Sequence, residues 1–158
     1  MPYTRRANKR RIEKLETMVV RQSADVAKTS NTTLADLTGL TQDVVPGTYR
    51  YRVQLQTTAN ASGGVKAGFK FNGGATLTSI QNSGKTFTAA AVAVARTTTA
   101  TDQASLVAST TAAVETTLEG TLVVATGGSL QVQGAQNASN ASATTFLTGS
   151  TFALQRLA

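Results

Sequence analysis

A chain of 158 residues with a net charge of +7 has the size of one ordinary domain and is too short for two with separate cores. It holds no Cys and no His, which excludes disulfides, thiol nucleophiles, imidazole bases and the usual Cys/His zinc sites. Leu, Ile, Val and Phe make up 34 of the 158 residues and Trp is absent, so the expected core is thin and gains from burying further surface against copies of itself or a partner.

The charge is concentrated at the start of the chain. Residues 1–14 carry Arg5, Arg6, Lys9, Arg10, Arg11 and Lys14 against Glu13, a net +5 of the total +7. Such a run is either a solvated tail or an electrostatic tether for an acidic surface or a polyanion. No apolar run approaches the roughly 20 residues that cross a bilayer, and charges stand where a signal peptide needs an apolar segment. The expectation is a soluble chain that is not exported by that route.

Directly after the arm, "RRIEKLETMVVRQ" places Ile12, Leu15 and Val19 at offsets of three and four, the spacing of a short amphipathic helix. A helix this short is marginal in water and would form by packing against the domain, a sister copy or a binding partner; a frayed linker is the plain alternative. Arm and docking helix are assigned to residues 1–22, and a β domain to residues 23–158.

Past Gln22 the period changes to two. In "GTYRYRVQLQT" Tyr49, Tyr51, Val53 and Leu55 alternate with Arg50, Arg52, Gln54 and Gln56, the pattern of a half-buried strand. The alternation recurs at Val65, Ala67, Phe69 and Phe71, and again at Val114, Thr116, Leu118, Leu122 and Val124. Leu130 with Val132, and Phe152 with Leu154, continue it to the end of the chain. The stretches "NASGG", "NGGA" and "NASNASAT" punctuate the strands as turns. The predicted fold is an antiparallel all-β domain of about eight to ten strands, a sandwich or jelly roll.

Four motifs invite chemistry and have plainer explanations. "SGKT" at Ser83–Thr86 resembles the end of a phosphate-binding loop, but Ser79 stands where that loop needs glycine and no βαβ unit surrounds it, so it reads as a turn. "YRYR" interleaves Arg with Tyr, yet on a strand the two types point to opposite faces. Glu115 and Glu119 could share a strand face, without an apolar pocket to set their protonation apart. Sequons at Asn31, Asn60, Asn137 and Asn140 fit polar turn composition better than glycosylation.

The order "GTYRYRVQL", "GFKF" and "LEGTLVVATGGSLQVQGAQNASNASATTFLTGSTFALQRL" resembles a domain of tailed-bacteriophage virion proteins, similar in outline to trimeric jelly rolls of the TNF and C1q type. The likeness covers roughly residues 23–158 and is most specific over Leu130–Asn137, Ala143–Thr145 and Gly149–Ser150. It implies a structural or binding module, commonly trimeric, with no catalytic residue to carry over, and no enzymatic activity, cofactor or metal is expected. The expectation is a capsid decoration or head-fibre protein of a phage, made in the host cytoplasm and placed on the virion surface. Its basic arm and docking helix would grip the major capsid protein. Neither a membrane nor a nucleic acid is expected as partner, and Val123 and Leu157 are the candidate trimer contacts. The alternatives are a receptor-binding tail or fibre module holding carbohydrate, and a small-virus coat protein whose arm neutralises genome phosphates.

Overall fold

The computed structural model describes residues 17–98 and 105–157, and these form strands and no helix. The strands are β1 (Thr17–Arg21), β2 (Val26–Lys28), β3 (Ala35–Val44), β4 (Gly47–Thr58), β5 (Val65–Asn72) and β6 (Thr76–Phe87) in the first part. They continue as β7 (Val92–Thr97), β8 (Ser105–Ser109), β9 (Glu115–Thr126), β10 (Gly128–Ala135), β11 (Thr144–Phe146) and β12 (Thr151–Arg156). All pairings are antiparallel and fall into two sheets. The larger runs β1-β12-β4-β9-β6-β7, with the short pair β2 and β11 joined to the end of β4, and the smaller runs β3-β10-β5-β8.

Two expectations change here. Thr17–Arg21 is a strand, so Val19 does not belong to the amphipathic helix that its spacing suggested, and strands begin before Gln22. The physical reason is local: Val19 and Val20 are β-branched, and a five-pair ladder with β12 satisfies their main chain. Ile12, Leu15 and the arm cations Arg5, Arg6, Lys9, Arg10, Arg11 and Lys14 lie outside the described residues. "SGKT" is not a turn but the upper half of β6. Its glycine is needed there because a Cβ on Gly84 would come within 2.7 Å of the Val107 Cβ on β8, where the two sheets approach closely.

The core lies between the sheets. From the larger sheet Tyr49, Tyr51, Val53, Leu55, Leu118, Leu122, Phe152 and Leu154 point inward, and from the smaller Val65, Ala67, Phe69, Leu130 and Val132 meet them. Phe69 bridges the layers, edge-on to Tyr51 at 5.2 Å and tilted against Phe152 at 5.5 Å; each such ring pair adds about 0.5–1.5 kcal/mol beyond its buried area. The Tyr51 hydroxyl donates to Asn82 Oδ1 at 2.8 Å, and Asn82 Nδ2 donates to Leu106 O at 2.9 Å, so one polar chain ties β4, β6 and β8. Burial holds the Tyr51 phenol above the ordinary tyrosine range.

Val114 departs from its expected place. It sits in the turn before β9 and is 50% exposed, while Thr116 takes the buried position with its hydroxyl unpaired among the described residues.

The ladders give the domain two distinct ends. At one, here the base, lie the Val45–Pro46 turn, the Asn72–Ala75 turn and Gly127, together with the start of β1 and the end of β12, since Thr17 pairs with Gln155. At the other, the apex, lie residues 29–34, 59–64, 88–91, 110–114 and 136–143.

Candidate functional site

The surface that β4 was expected to turn outward is the outer face of the larger sheet, and the registers fix its rows of neighbouring side chains. One row runs Val19, Ala153, Arg52, Glu119, Ser83 and Arg96 across six strands. The row toward the base runs Thr17, Gln155, Arg50, Thr121 and Gln81, and the row toward the apex runs Arg21, Thr151, Gln54, Thr117, Lys85 and Val94.

Charge is organised around Glu119. Lys85 Nζ contacts Glu119 Oε1 at 2.6 Å, and this hydrogen bond, with Arg52 and Arg50 nearby, holds the Glu119 carboxyl below the usual carboxylate range. The side chains of Arg50 and Arg52 are exposed and donate no hydrogen bond among the described residues. Between them and β1 a shallow groove of about 190 Å³ opens over the small side chain of Ala153, walled by Thr17 and Gln155. Glu115 shares the face with Glu119, as its parity suggested, but accepts instead from Gln54 Nε2 at 3.0 Å and Gln56 Nε2 at 3.1 Å. Four strand residues separate the two acids by about 13 Å of backbone.

The two candidate trimer contacts come together. Leu157 donates its N–H to Thr48 O at 2.7 Å, and Thr48 pairs with Val123 on its other side. Leu157, Thr48 and Val123 therefore form one row on the outer face at the base, with Leu157 46% exposed and Val123 half-buried.

One apolar surface was missed by the periodicity argument. Phe87 pairs with Val92, Val94 follows on the same face, and Val114 donates its N–H to Phe87 O at 2.9 Å. Val92, Val94 and Val114 are each at least half exposed, and the tip between β6 and β7 is Ala89-Ala90-Ala91. The run "FTAAAVAVA" was the available signal; no alternation with polar residues marked which of its side chains stay outside.

The apex differs in chemistry. None of its five loops contains a charged side chain, and their amides are spent on one another. Asn60 Oδ1 accepts from Ser62 N at 2.9 Å and Gly63 N at 2.6 Å, while Gln136 Nε2 donates to Ser142 O at 2.7 Å and its Oε1 accepts from Asn31 N and Asn140 N. All four sequon asparagines lie in these loops, three of them within this bonded cluster, so they serve turn geometry directly.

No family model, no curated protein and no solved structure matches the chain.

Proposed function

We propose that the chain is a non-enzymatic structural protein of a phage virion, a capsid decoration or head-fibre protein that acts as a homotrimer on the capsid surface. The observation that carries this reading is the polarity of the domain. β1 starts at the base, so the cationic stretch Arg5–Lys14 joins the domain there, opposite the charge-free apical loops. One end is suited to grip an acidic lattice of major capsid protein and the other to face outward.

The strand order supports a jelly roll. With β6–β7 taken as an inserted hairpin, β1-β12-β4-β9 and β3-β10-β5-β8 follow the order A-H-C-F and B-G-D-E of an eight-stranded jelly roll. The trimer contact is assigned to the outer face of the larger sheet, where the row Leu157, Thr48 and Val123 is apolar at its edges. Light scattering on the purified protein at micromolar concentration should give three chains per particle; a monomer mass would reject the assembly.

Attachment is tested by deleting residues 1–14, which spares β1 and every core position. The truncated protein should fold normally and lose capsid binding, and binding by the intact protein should weaken as salt shortens the screening length from about 10 Å at 0.1 M to about 3 Å at 1 M. A truncated protein that still decorates capsids would place the contact on the β domain. The amide- and hydroxyl-rich apex favours one second reading, a receptor-binding module for carbohydrate; binding to host glycans that apical substitutions abolish would select it.

A further inference from the structure

The outer faces of the two sheets balance their charge differently. The smaller sheet carries Lys66 and Lys70 against Asp36 and Asp43, an even match. On the larger sheet Lys85 and Glu119 cancel each other at 2.6 Å, which leaves Arg50 and Arg52 with no ion-pair partner among the described residues. Both arginines stand on β4, on one face and about 7 Å apart. The neighbouring strand lowers the surface beside them: Ala153 lies opposite Arg52, and Gln155 lies between Arg50 and Thr17. The short Ala153 side chain is the floor of the groove, and the two arginines flank it.

The lining selects what fits. Two planar guanidiniums present paired N–H donors that match the two oxygens of a carboxylate. Glu119 also stands in the wall, so a singly charged ligand meets less repulsion there than a phosphate dianion. Thr17 and Gln155 offer a hydroxyl and an amide, partners for neutral hydroxyl groups, and Ala153 offers contact for C–H surface. At about 190 Å³ the groove is smaller than the roughly 300 Å³ from which drug-sized ligands are enclosed, so it has space for one ring and not for a chain of them.

We propose that this groove binds an acidic sugar, a single hexuronate unit, with Arg50 and Arg52 on its carboxylate and Thr17 and Gln155 on its ring hydroxyls. The site is complete within one chain, so it depends on neither the capsid nor the trimer assignment. It lies on the flank of the domain, so binding here survives substitutions in the apical loops.

Titration of the full chain with D-glucuronate, followed by NMR, tests the site. Saturable shifts should appear at the Arg50 and Arg52 Nε–H signals and at the Ala153 amide, and D-glucose should produce none. Arg52→Gln should weaken binding at least about tenfold, because a charge-assisted hydrogen bond is lost. Glu119→Gln should strengthen it about two- to fivefold by removing a like charge from the wall. Arg96→Gln is the control: Arg96 lies three strands from Arg52 in the same row, about 14 Å away and beyond the screening length of about 8 Å at 0.15 M, so affinity should change by less than about twofold. Absence of saturable shifts with D-glucuronate would overturn the proposal. So would an equal response to D-glucose, or a loss in Arg96→Gln as large as in Arg52→Gln, which would mean unspecific attraction to the face. Tighter binding of N-acetylglutamate would assign the groove to an acidic protein side chain, and tighter binding of glucose 6-phosphate would assign it to a phosphate; either also overturns it.

Discussion

β4 and β10 share one pattern, an apolar residue alternating with a long polar one, but meet different fates. β4 leaves Arg50 and Arg52 in solvent, whereas every residue from Leu130 to Ala135 in β10 is buried. The cause is the neighbouring strand. Between the pairs Gln131–Thr41 and Gln133–Asp36, β10 advances two residues while β3 advances five, and the surplus forms a bulge at Leu37–Leu40. Gln131 fills it: its Nε2 donates toward Leu37 O at 2.8 Å, Val132 O at 2.9 Å and Leu40 O at 3.3 Å, and its Oε1 accepts from the Thr41 hydroxyl. A neutral amide can be buried this way because it replaces the hydrogen bonds that main-chain carbonyls would otherwise lack. Alternation therefore names the inner face of a strand but not whether its outer face is wet.

The sharpest way to break the comparison is to make the same substitution on both strands. Gln131→Leu should cost about 2–5 kcal/mol in urea unfolding, because the carbonyls of Leu37 and Leu40 are left buried without a donor. Gln54→Leu, whose amide donates to half-buried Glu115, should stay within about 0.5 kcal/mol. Equal losses would show that the bulge does not depend on Gln131.

Next in size is Gly134→Ala on β10. The ring of fully buried Phe146 packs onto the glycine where a Cβ would stand, so overpacking should cost about 1–3 kcal/mol on the same measurement. An unchanged midpoint would mean that the ring has room to move.

The smallest effect belongs to the wet face. The folded-state carboxyl of Glu119 titrates below its ordinary 4.5, so its contribution is present above that pH and disappears as pH falls through the lower folded value. Lys85 and Glu119 are both more than a third exposed, so solvent screening limits the loss to a few tenths of a kcal/mol. Stability measured from pH 6 to pH 3 should show this fall in the unaltered protein and less of it in Glu119→Gln. Asp25 acts with the same sign from its ordinary 3.8, held down by the Thr148 N–H at 2.6 Å and its hydroxyl at 2.7 Å.

What was legible in the sequence follows from the same physics. Tyr49, Tyr51, Val53 and Leu55, and later Leu130, Val132, Phe152 and Leu154, are all buried as their spacing required, because in a half-buried strand period two is the burial pattern itself. The glycine- and asparagine-rich turns were equally readable. β6 was not, since "TLTSIQNSGKTF" is polar in composition and takes its buried places with Ile80, Asn82, Gly84 and Thr86. β1 was hidden for another reason: Thr17–Arg21 has one partner strand and little burial, so helical spacing and strand pairing compete over the same apolar residues. On the candidate face, the outward direction of Arg50 and Arg52 was legible. The row joining Leu157 to Val123 was not, because it depends on registers between strands far apart in the chain.

The five-pair ladder between β1 and β12 has a mechanical consequence. Both strands leave the domain at the base, so a force drawing Thr17 and Leu157 apart would open the ladder one pair at a time, like a zipper. A force applied between Thr17 and the apical loops instead runs along the strands and loads the five pairs together in shear. The same hydrogen bonds are weak against the first load and strong against the second, so this ladder resists more along the axis from the base of the domain to its apex.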